Sequence, residues 1–161
     1  MINDLEVFRD TLLKMFQENL EAELEVIDAE KDDGLCLDKP CPDSYFYDIN
    51  NQAINSDVFI HYGFSNIESD IRGGCISYTP TMFFSYYFCD GNNNSNADVA
   101  YNKIFRYTRA MAKVIADRAT SLGWVSNLKV VPLPPAQVVF ADLDGSEWKA
   151  GSIEITGSFT I

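Results

Sequence analysis

The last ten residues of the chain, SIEITGSFTI, have the most regular pattern in the sequence. Apolar or small residues alternate there with polar ones, and the apolar set comprises Ile153, Ile155, Gly157, Phe159 and Ile161. Successive side chains of a β-strand point to opposite faces, so this period of two predicts a strand with one buried face. Such a strand needs neighbouring strands and a second layer over its apolar face. We therefore expect a sheet that other elements cover on one side.

Several upstream segments have the β-branched and aromatic composition of further strands. They are YFYDIN at 45–50, DVFIHYGF at 57–64, CISYTPTMFFSYYFCDG at 75–91, NLKVV at 127–131 and QVVFA at 137–141. Between the last two, the PLPP segment at 132–135 predicts a kinked connection or an edge rather than a central strand.

The aromatic strand run is too rich in large rings for one face of a sheet to bury. Alternation places Phe84, Tyr86 and Phe88 on one face and Phe83 and Tyr87 on the other. Either the helices and loops of this chain cover both faces, or a partner covers one of them.

An amphipathic helix is predicted from Asn3 to about Glu21, because apolar residues recur there at three- and four-residue steps. Asn3 is available as its N-cap, and Asp4 lies near the positive helix end. The next segment, ELEVIDAE at 23–30, alternates charged with apolar residues and predicts an edge strand. An exposed acidic loop at about 31–44 should follow, since it is rich in turn-forming residues.

A second amphipathic helix should follow the polar segment at 89–98, where Asn96 or Asp98 could cap it. It runs to about Ala119, and Gly123 stops it. Its apolar stripe, which predicts the core face, comprises Tyr101, Ile104, Thr108, Met111, Ile115, Ala119 and Leu122. The order helix, strands, helix, strands predicts a single α+β domain over residues 1–161, with both helices packed on one face of a largely antiparallel sheet.

The opposite side of the second helix concentrates positive charge in an otherwise acidic chain. The chain has 24 acidic and 12 basic residues, and four of those cations lie within eleven positions: Lys103, Arg106, Arg109 and Lys113. Residues 1–48 hold fourteen acidic and four basic residues, a net charge of −10, whereas residues 49–161 hold ten and eight, a net of −2. The four cations form either a solvated polar face or an interface with acids of the N-terminal third, in the same chain or in a neighbouring subunit.

The net charge of −12 argues against a surface that grips nucleic acid, because such affinity comes largely from cations that displace counterions. No apolar run approaches the roughly 20 residues that span a bilayer. The first residues are too acidic for a signal peptide, so we expect a chain that is cytosolic at synthesis.

The string VVFADLDGS at 138–146 resembles the nucleophile motif of haloacid-dehalogenase-type phosphatases, with Asp142 as nucleophile and Asp144 as general acid. Only 17 residues follow Asp144, whereas that family places the motif at the start of its fold. A turn between two strands is the simpler interpretation of this Asp-Gly pair. A small hydrolase or a calcium site using Asp142, Asp144 and Glu147 stays an alternative, as does a ligand-binding domain built on the aromatic sheet.

Other chemical motifs are weak. His61 is the only histidine and lies in an aromatic strand, which favours a structural role. Cys36 and Cys41 could hold a metal, but no second close cysteine pair accompanies them, and buried or free thiols are the simpler interpretation. The chain has no phosphate-binding loop of the Walker type and no Gly-x-Ser-x-Gly elbow. We expect neither an enzyme nor a cofactor.

As an order of elements, the chain resembles the tail terminator, or tail completion, proteins of tailed bacteriophages. The resemblance is carried by the acidic N-terminal helix, the aromatic strands, the helix YNKIFRYTRAMAKVIADRA and the final hairpin that ends in GSIEITGSFTI. It implies a structural subunit that forms a ring, commonly a hexamer, on the end of the tail tube and joins it to the head or neck. Another tail or neck component of similar fold is the alternative that the same resemblance implies. DNA would pass through that ring without specific binding. The expected location is the tail or neck of the virion, and the host cytoplasm during assembly.

Overall fold

The computed structural model describes residues 3–47, 57–89, 97–139 and 147–161. Its elements are α1 (Leu5–Lys31), β1 (Tyr45–Phe46), β2 (Val58–Arg72), β3 (Cys75–Phe88), α2 (Ala97–Asp117), a short 3-10 helix (Ala119–Leu122), β4 (Ser126–Pro132), β5 (Ala136–Val139) and β6 (Glu147–Thr160). Within these residues the protein has the predicted α+β fold, with an N-terminal helix, a mid-chain helix and a mostly antiparallel sheet.

The first helix is longer than its sequence pattern predicted. The N-cap is Asp4 rather than Asn3, and its carboxylate accepts a hydrogen bond of 2.9 Å from the Val7 amide. The helix ends at Lys31, where Asp32 takes a left-handed conformation with φ of 42°.

The predicted edge strand at 23–30 is therefore wrong, since this segment forms the last two turns of α1. Leu24 and Ile27 extend the helical spacing of the earlier apolar residues and are buried, whereas Val26 is 59% exposed. In a strand, Leu24 and Val26 would share a face. A helix with a narrow apolar stripe has charged residues at most other positions, and in this short segment they happen to alternate with apolar ones.

The sheet has the strand order β1-β2-β3-β6-β4, and β5 also pairs with β6. β1 runs parallel to β2, and the other pairings are antiparallel. β4 and β5 lie one after the other along the same side of β6, separated by residues 133–135, which bears out the edge position predicted for the proline-rich segment. Gly73 and Gly74 form the two-residue turn between β2 and β3, and both have the positive φ that such a turn requires.

Both helices pack on one face of the sheet, called here the helix face. Phe84, Tyr86 and Phe88 lie on it and are buried, as predicted, with Phe84 at 4.3 Å from the ring of Phe16 of α1. Tyr86 stacks at 3.8 Å on Tyr107 of α2. These ring contacts join both helices to the same strand.

The opposite face, called here the polar face, contains a cluster of aromatic rings at one end. Phe83 and Tyr87 lie there and are half-buried. Phe59 stacks on Tyr87 at 5.0 Å and meets Trp148 at 5.0 Å. Phe59 is fully buried, so this face is covered at that position.

In β6, the predicted apolar row is buried from Ile153 through Phe159. The prediction is wrong for Ile161, which follows the strand and is 44% exposed. Gly157 is required by close packing, since a Cβ there would lie 2.2 Å from Cγ1 of Val125.

The acidic loop begins at residue 32 and is exposed over most of its length, as predicted, but it is anchored to the core. Leu37 is buried, and its amide donates hydrogen bonds of 3.1 and 3.3 Å to the Asp28 carboxylate. Lys39 lies 3.3 Å from the same carboxylate, and the Tyr86 hydroxyl donates to the Asp38 carbonyl. The loop is thus fixed against both α1 and the sheet.

Candidate interaction surfaces

Arg106 does not lie on a solvated polar face, which was one of the two alternatives that the sequence left open. Its side chain is buried, with 8% of the residue exposed, and its guanidinium donates two hydrogen bonds to the Asp33 carboxylate. The solvated alternative is wrong because α2 packs against α1 as well as against the sheet, and the alternative of a contact with an acid of the N-terminal third is right for Arg106. The buried arc of α2 is therefore wider than a single stripe, and Tyr107 and Ala110 are buried too.

Arg109 also pairs with an acid of the same chain. It donates hydrogen bonds of 3.0 and 2.7 Å to the two carboxylate oxygens of Glu30, and both side chains are half exposed. A third contact joins Arg118 to Glu23 at 3.7 Å. Because partners earlier in α1 meet residues later in α2, the helices are antiparallel. The sequence left open whose acids these cations meet, and for both arginines they belong to this chain.

The other two predicted interface cations also have local contacts. Lys113 lies 2.9 Å from Asp117, one helical turn later. The Lys103 ammonium lies 5.7 Å from the centroid of the Phe88 ring. The four cations therefore form no free positive patch.

The hydrogen bonds of the two arginines control the ionisation of their partners. The Arg106 guanidinium, chiefly through its hydrogen bonds, lowers the pKa of Asp33 to about 2. The Arg109 hydrogen bonds lower the pKa of Glu30 in the same way. Both carboxylates are negatively charged at neutral pH, and the pairs tie the end of α1 and the start of the loop to α2.

The predicted core stripe of α2 is right for Ile104, Thr108, Met111, Ile115 and Leu122, which are buried. It is wrong for Tyr101 and Ala119, which are exposed. Tyr101 is 48% exposed and lies beside Phe105, which is 57% exposed, with ring centroids 6.3 Å apart. The pair forms a small apolar patch on the outside of α2.

The most prominent surface is the far half of the β2–β3 hairpin, residues 65–79, called here the arm. Ile67 and Ile71 of β2 and Ile76 of β3 are 45%, 73% and 36% exposed. Ile71 pairs with Ile76, and the amide of Ile161 donates to the carbonyl of Ile76. The register places all four isoleucines on the helix face, as a continuation of the core row beyond the helices.

The sequence pattern did not predict this arm, although a signal was present. A β-bulge between Phe64 and Asn66 changes which β2 residues face the helices, so even positions face them before the bulge and odd positions after it. Strict alternation continued through β2 without that shift would place Ile67 and Ile71 on the polar face. The paired glycines at 73 and 74 mark the turn, and the exposed isoleucines follow from its position.

The polar face of the arm is hydrophilic. Cross-strand hydroxyl pairs join Ser77 to Thr160, Thr79 to Ser158 and Thr81 to Thr156, at 2.9 to 3.0 Å. Glu68 and Asp70 lie on the same face, and Arg72 pairs with Asp70 at 2.6 Å. The arm is therefore amphipathic, with isoleucines on one side and hydroxyls and charges on the other.

The remaining candidate residues lie apart from one another. His61 lies in β2, with Nε2 at 3.2 Å from the Tyr47 carbonyl and its ring 5.0 Å from Phe83. Cys36 and Cys41 are free thiols on the exposed side of the loop. In the ranges that the structure describes, no three His, Cys, Asp or Glu side chains are grouped to hold a metal ion.

The motif that resembles a phosphatase falls largely outside the described residues. Asp142 and Asp144 lie in the gap between β5 and β6, and Asn96, one of the two predicted caps of α2, lies in another gap. Glu147 begins β6, where its backbone pairs with Val139 of β5. That pairing makes the flanking segments an antiparallel hairpin, as the turn interpretation of the motif requires.

Comparison with protein-family models found no match, and comparison with curated proteins found none either. Neither of the helices within the described ranges is long and apolar enough to cross a membrane.

Proposed function

We propose that this chain is a structural subunit that assembles head to tail into a ring. In keeping with the resemblance of its element order, we propose that the ring is a tail terminator of a tailed bacteriophage, with six copies as the expected number. It would close the tail tube and join it to neck or head-completion proteins. The virion tail or neck is then its final location.

The observation that carries the proposal is the arm. Four isoleucines are exposed side by side on one face, and a contiguous apolar patch on a soluble protein often marks an interaction site. The patch lies on the β2–β3 hairpin and the adjoining end of β6, and the opposite face there is polar. A second copy of the chain is the occupant that the proposal names.

The surfaces available for this contact are different ones at opposite sides of the sheet. The arm extends the β2 side, whereas β4 ends the strand order on the other side. A contact between two different surfaces repeats from copy to copy, and it closes into a ring when the rotation permits. Such geometry fits a ring better than a two-fold dimer.

The charge distribution supports a channel that lets DNA pass. Arg106 and Arg109, the strongest candidates for phosphate contacts, are held by Asp33 and Glu30. A surface with net negative charge limits adhesion to the DNA backbone. Specific DNA binding is not part of the proposal.

Mass photometry of the purified chain, followed by negative-stain microscopy, tests the proposal. The expected result is one closed species with a mass that is an integer multiple of 18.1 kDa and a ring outline. Sedimentation with tubes of the tail-tube protein from the same genome should place the chain at tube ends. Ring formation without tube binding would contradict the terminator role, and a monomer in both experiments would contradict self-assembly.

A further inference from the structure

We propose that the ring closes by strand addition, with β4 of one copy pairing antiparallel to the outer edge of the arm of the next copy. Lys129 of β4 would lie near Glu68 of the arm, with Asp70 further along the same face. This inference rests on the proposed function and identifies the residues that join the subunits.

Both edges are open in the part of the chain that the structure describes. β1 covers β2 only at Ile60 and His61, so residues 64–72 have a strand partner on one side alone. Residues 65–72 are all exposed. β4 pairs with β6 on one side and has no strand on the other. Each edge therefore presents unpaired amides and carbonyls, which another strand can satisfy.

The two edges lie at matching heights in the sheet. Lys129 lies opposite Thr156 of β6, Thr156 lies opposite Thr81 of β3, and Thr81 lies opposite Asn66 of β2. A lateral repeat of the sheet thus places Lys129 of one copy level with Asn66 of the next. Glu68 is the next residue on that face, about 7 Å further along the strand.

The relative direction of β2 and β4 follows from the strand order of the sheet. Three antiparallel steps separate β2 from β4, so these strands run in opposite directions within one copy. Rotation about an axis along the strands preserves those directions. β4 of one copy therefore meets the arm of the next in the antiparallel arrangement, whose hydrogen bonds are the more stable of the two kinds.

The side chains on both faces are complementary. On the polar face, the exposed Lys129 of β4 lies nearest Glu68 among the acids of the arm, and Asp70 follows Glu68 on the same face. On the helix face, the half-buried Leu128 and Val130 continue the row begun by Ile67 and Ile71. Strand addition would join the apolar rows and pair opposite charges, which also fixes the register.

Charge exchange between two folded variants tests the inference. One variant is Lys129→Glu, and the other combines Glu68→Lys with Asp70→Lys. Each alone places like charges across the contact, and we expect each to raise the concentration for half-assembly at least about tenfold. An equimolar mixture restores opposite charges at every contact, and it should form mixed rings in which the two variants alternate.

Lys14→Glu is the matched control, because it makes the same change of charge on α1, where Lys14 is 73% exposed. It should assemble as the wild type does. Circular dichroism and melting curves for all variants separate loss of assembly from loss of folding. Native mass spectrometry of the mixture should give equal numbers of both variants in each ring, and therefore an even total.

The outcomes separate the two claims. Wild-type assembly with unaffected variants, or with folded variants whose mixture stays monomeric, would overturn the strand contact and leave the proposed function standing. A wild-type chain that is monomeric both alone and with tail tubes would overturn the proposed function and this inference together.

Discussion

Arg106 of α2 and Asp33 of the loop after α1 form an ion pair in which the guanidinium is buried and the carboxylate is 44% exposed. The pair joins segments 73 residues apart and lies beside the exposed pair of Arg109 and Glu30. One surface therefore offers two ion pairs of similar geometry that differ in burial.

The difference in burial predicts different effects of removing each arginine. Arg106→Ala should lower the midpoint of thermal unfolding by roughly 3 to 8 °C, because it leaves a gap and releases the loop. Arg109→Ala is the matched control and should lower it by less than about 3 °C, since exposed ion pairs contribute little. Differential scanning calorimetry measures both, and equal effects would contradict the burial of Arg106.

The pKa of Asp33 predicts how stability depends on pH. Its folded-state pKa of about 2 lies below the roughly 3.9 of an unfolded Asp, so the pair stabilises the fold above about pH 4. That contribution is lost as the pH falls from about 4 towards 2. Urea unfolding of wild type and Asp33→Asn should show wild type the more stable at pH 7, with the difference shrinking over that window. A difference that stayed constant down to pH 2 would count against the pair.

The extended α1 predicts opposite behaviour for two neighbouring apolar residues. Leu24 is fully buried, so Leu24→Ala should cost about 2 to 5 kcal/mol of unfolding free energy. Val26 is 59% exposed, and Val26→Ala should be neutral or slightly stabilising. Equilibrium denaturation measures both changes. Similar costs at both positions would favour the strand, in which the two residues share a face.

Close packing at Gly157 predicts a destabilising substitution that a second one rescues. Gly157→Ala places a methyl group against Val125 and should cost about 1 to 3 kcal/mol. Val125→Ala in the same chain provides space for that methyl group. In a double-mutant cycle the combined cost should be smaller than the sum of the single costs. Strict additivity would mean that the two side chains do not meet.

The local pattern of apolar and polar residues was sufficient to predict much of the fold. The alternation in β6 and the spacing of Phe8, Leu12 and Leu20 in α1 depend on side chains that face a core whichever elements supply it. These features predicted the helix-covered sheet correctly.

Features that depend on a specific neighbour could not be predicted in this way. Arg106 is buried because α1 lies against α2 and places Asp33 beside it, and one helix alone gives no sign of that contact. The arm depends on a bulge that reverses the facing of β2, and a sequence does not mark where that extra residue falls. The ion pairs of α2 within the chain remove its arginines from the candidate interaction surface. The exposed isoleucines of the arm are the candidate surface instead.

Self-assembly through the arm is the central claim, and native mass spectrometry of wild type beside Ile67→Glu with Ile71→Glu tests it most directly. Both isoleucines are exposed, so the double variant should keep the wild-type circular dichroism spectrum and unfolding midpoint. The account predicts one closed oligomer for wild type, with six copies expected, and a folded monomer of 18.1 kDa for the variant. A variant that forms the wild-type oligomer, or a wild type that stays monomeric both alone and with tail tubes, would contradict it.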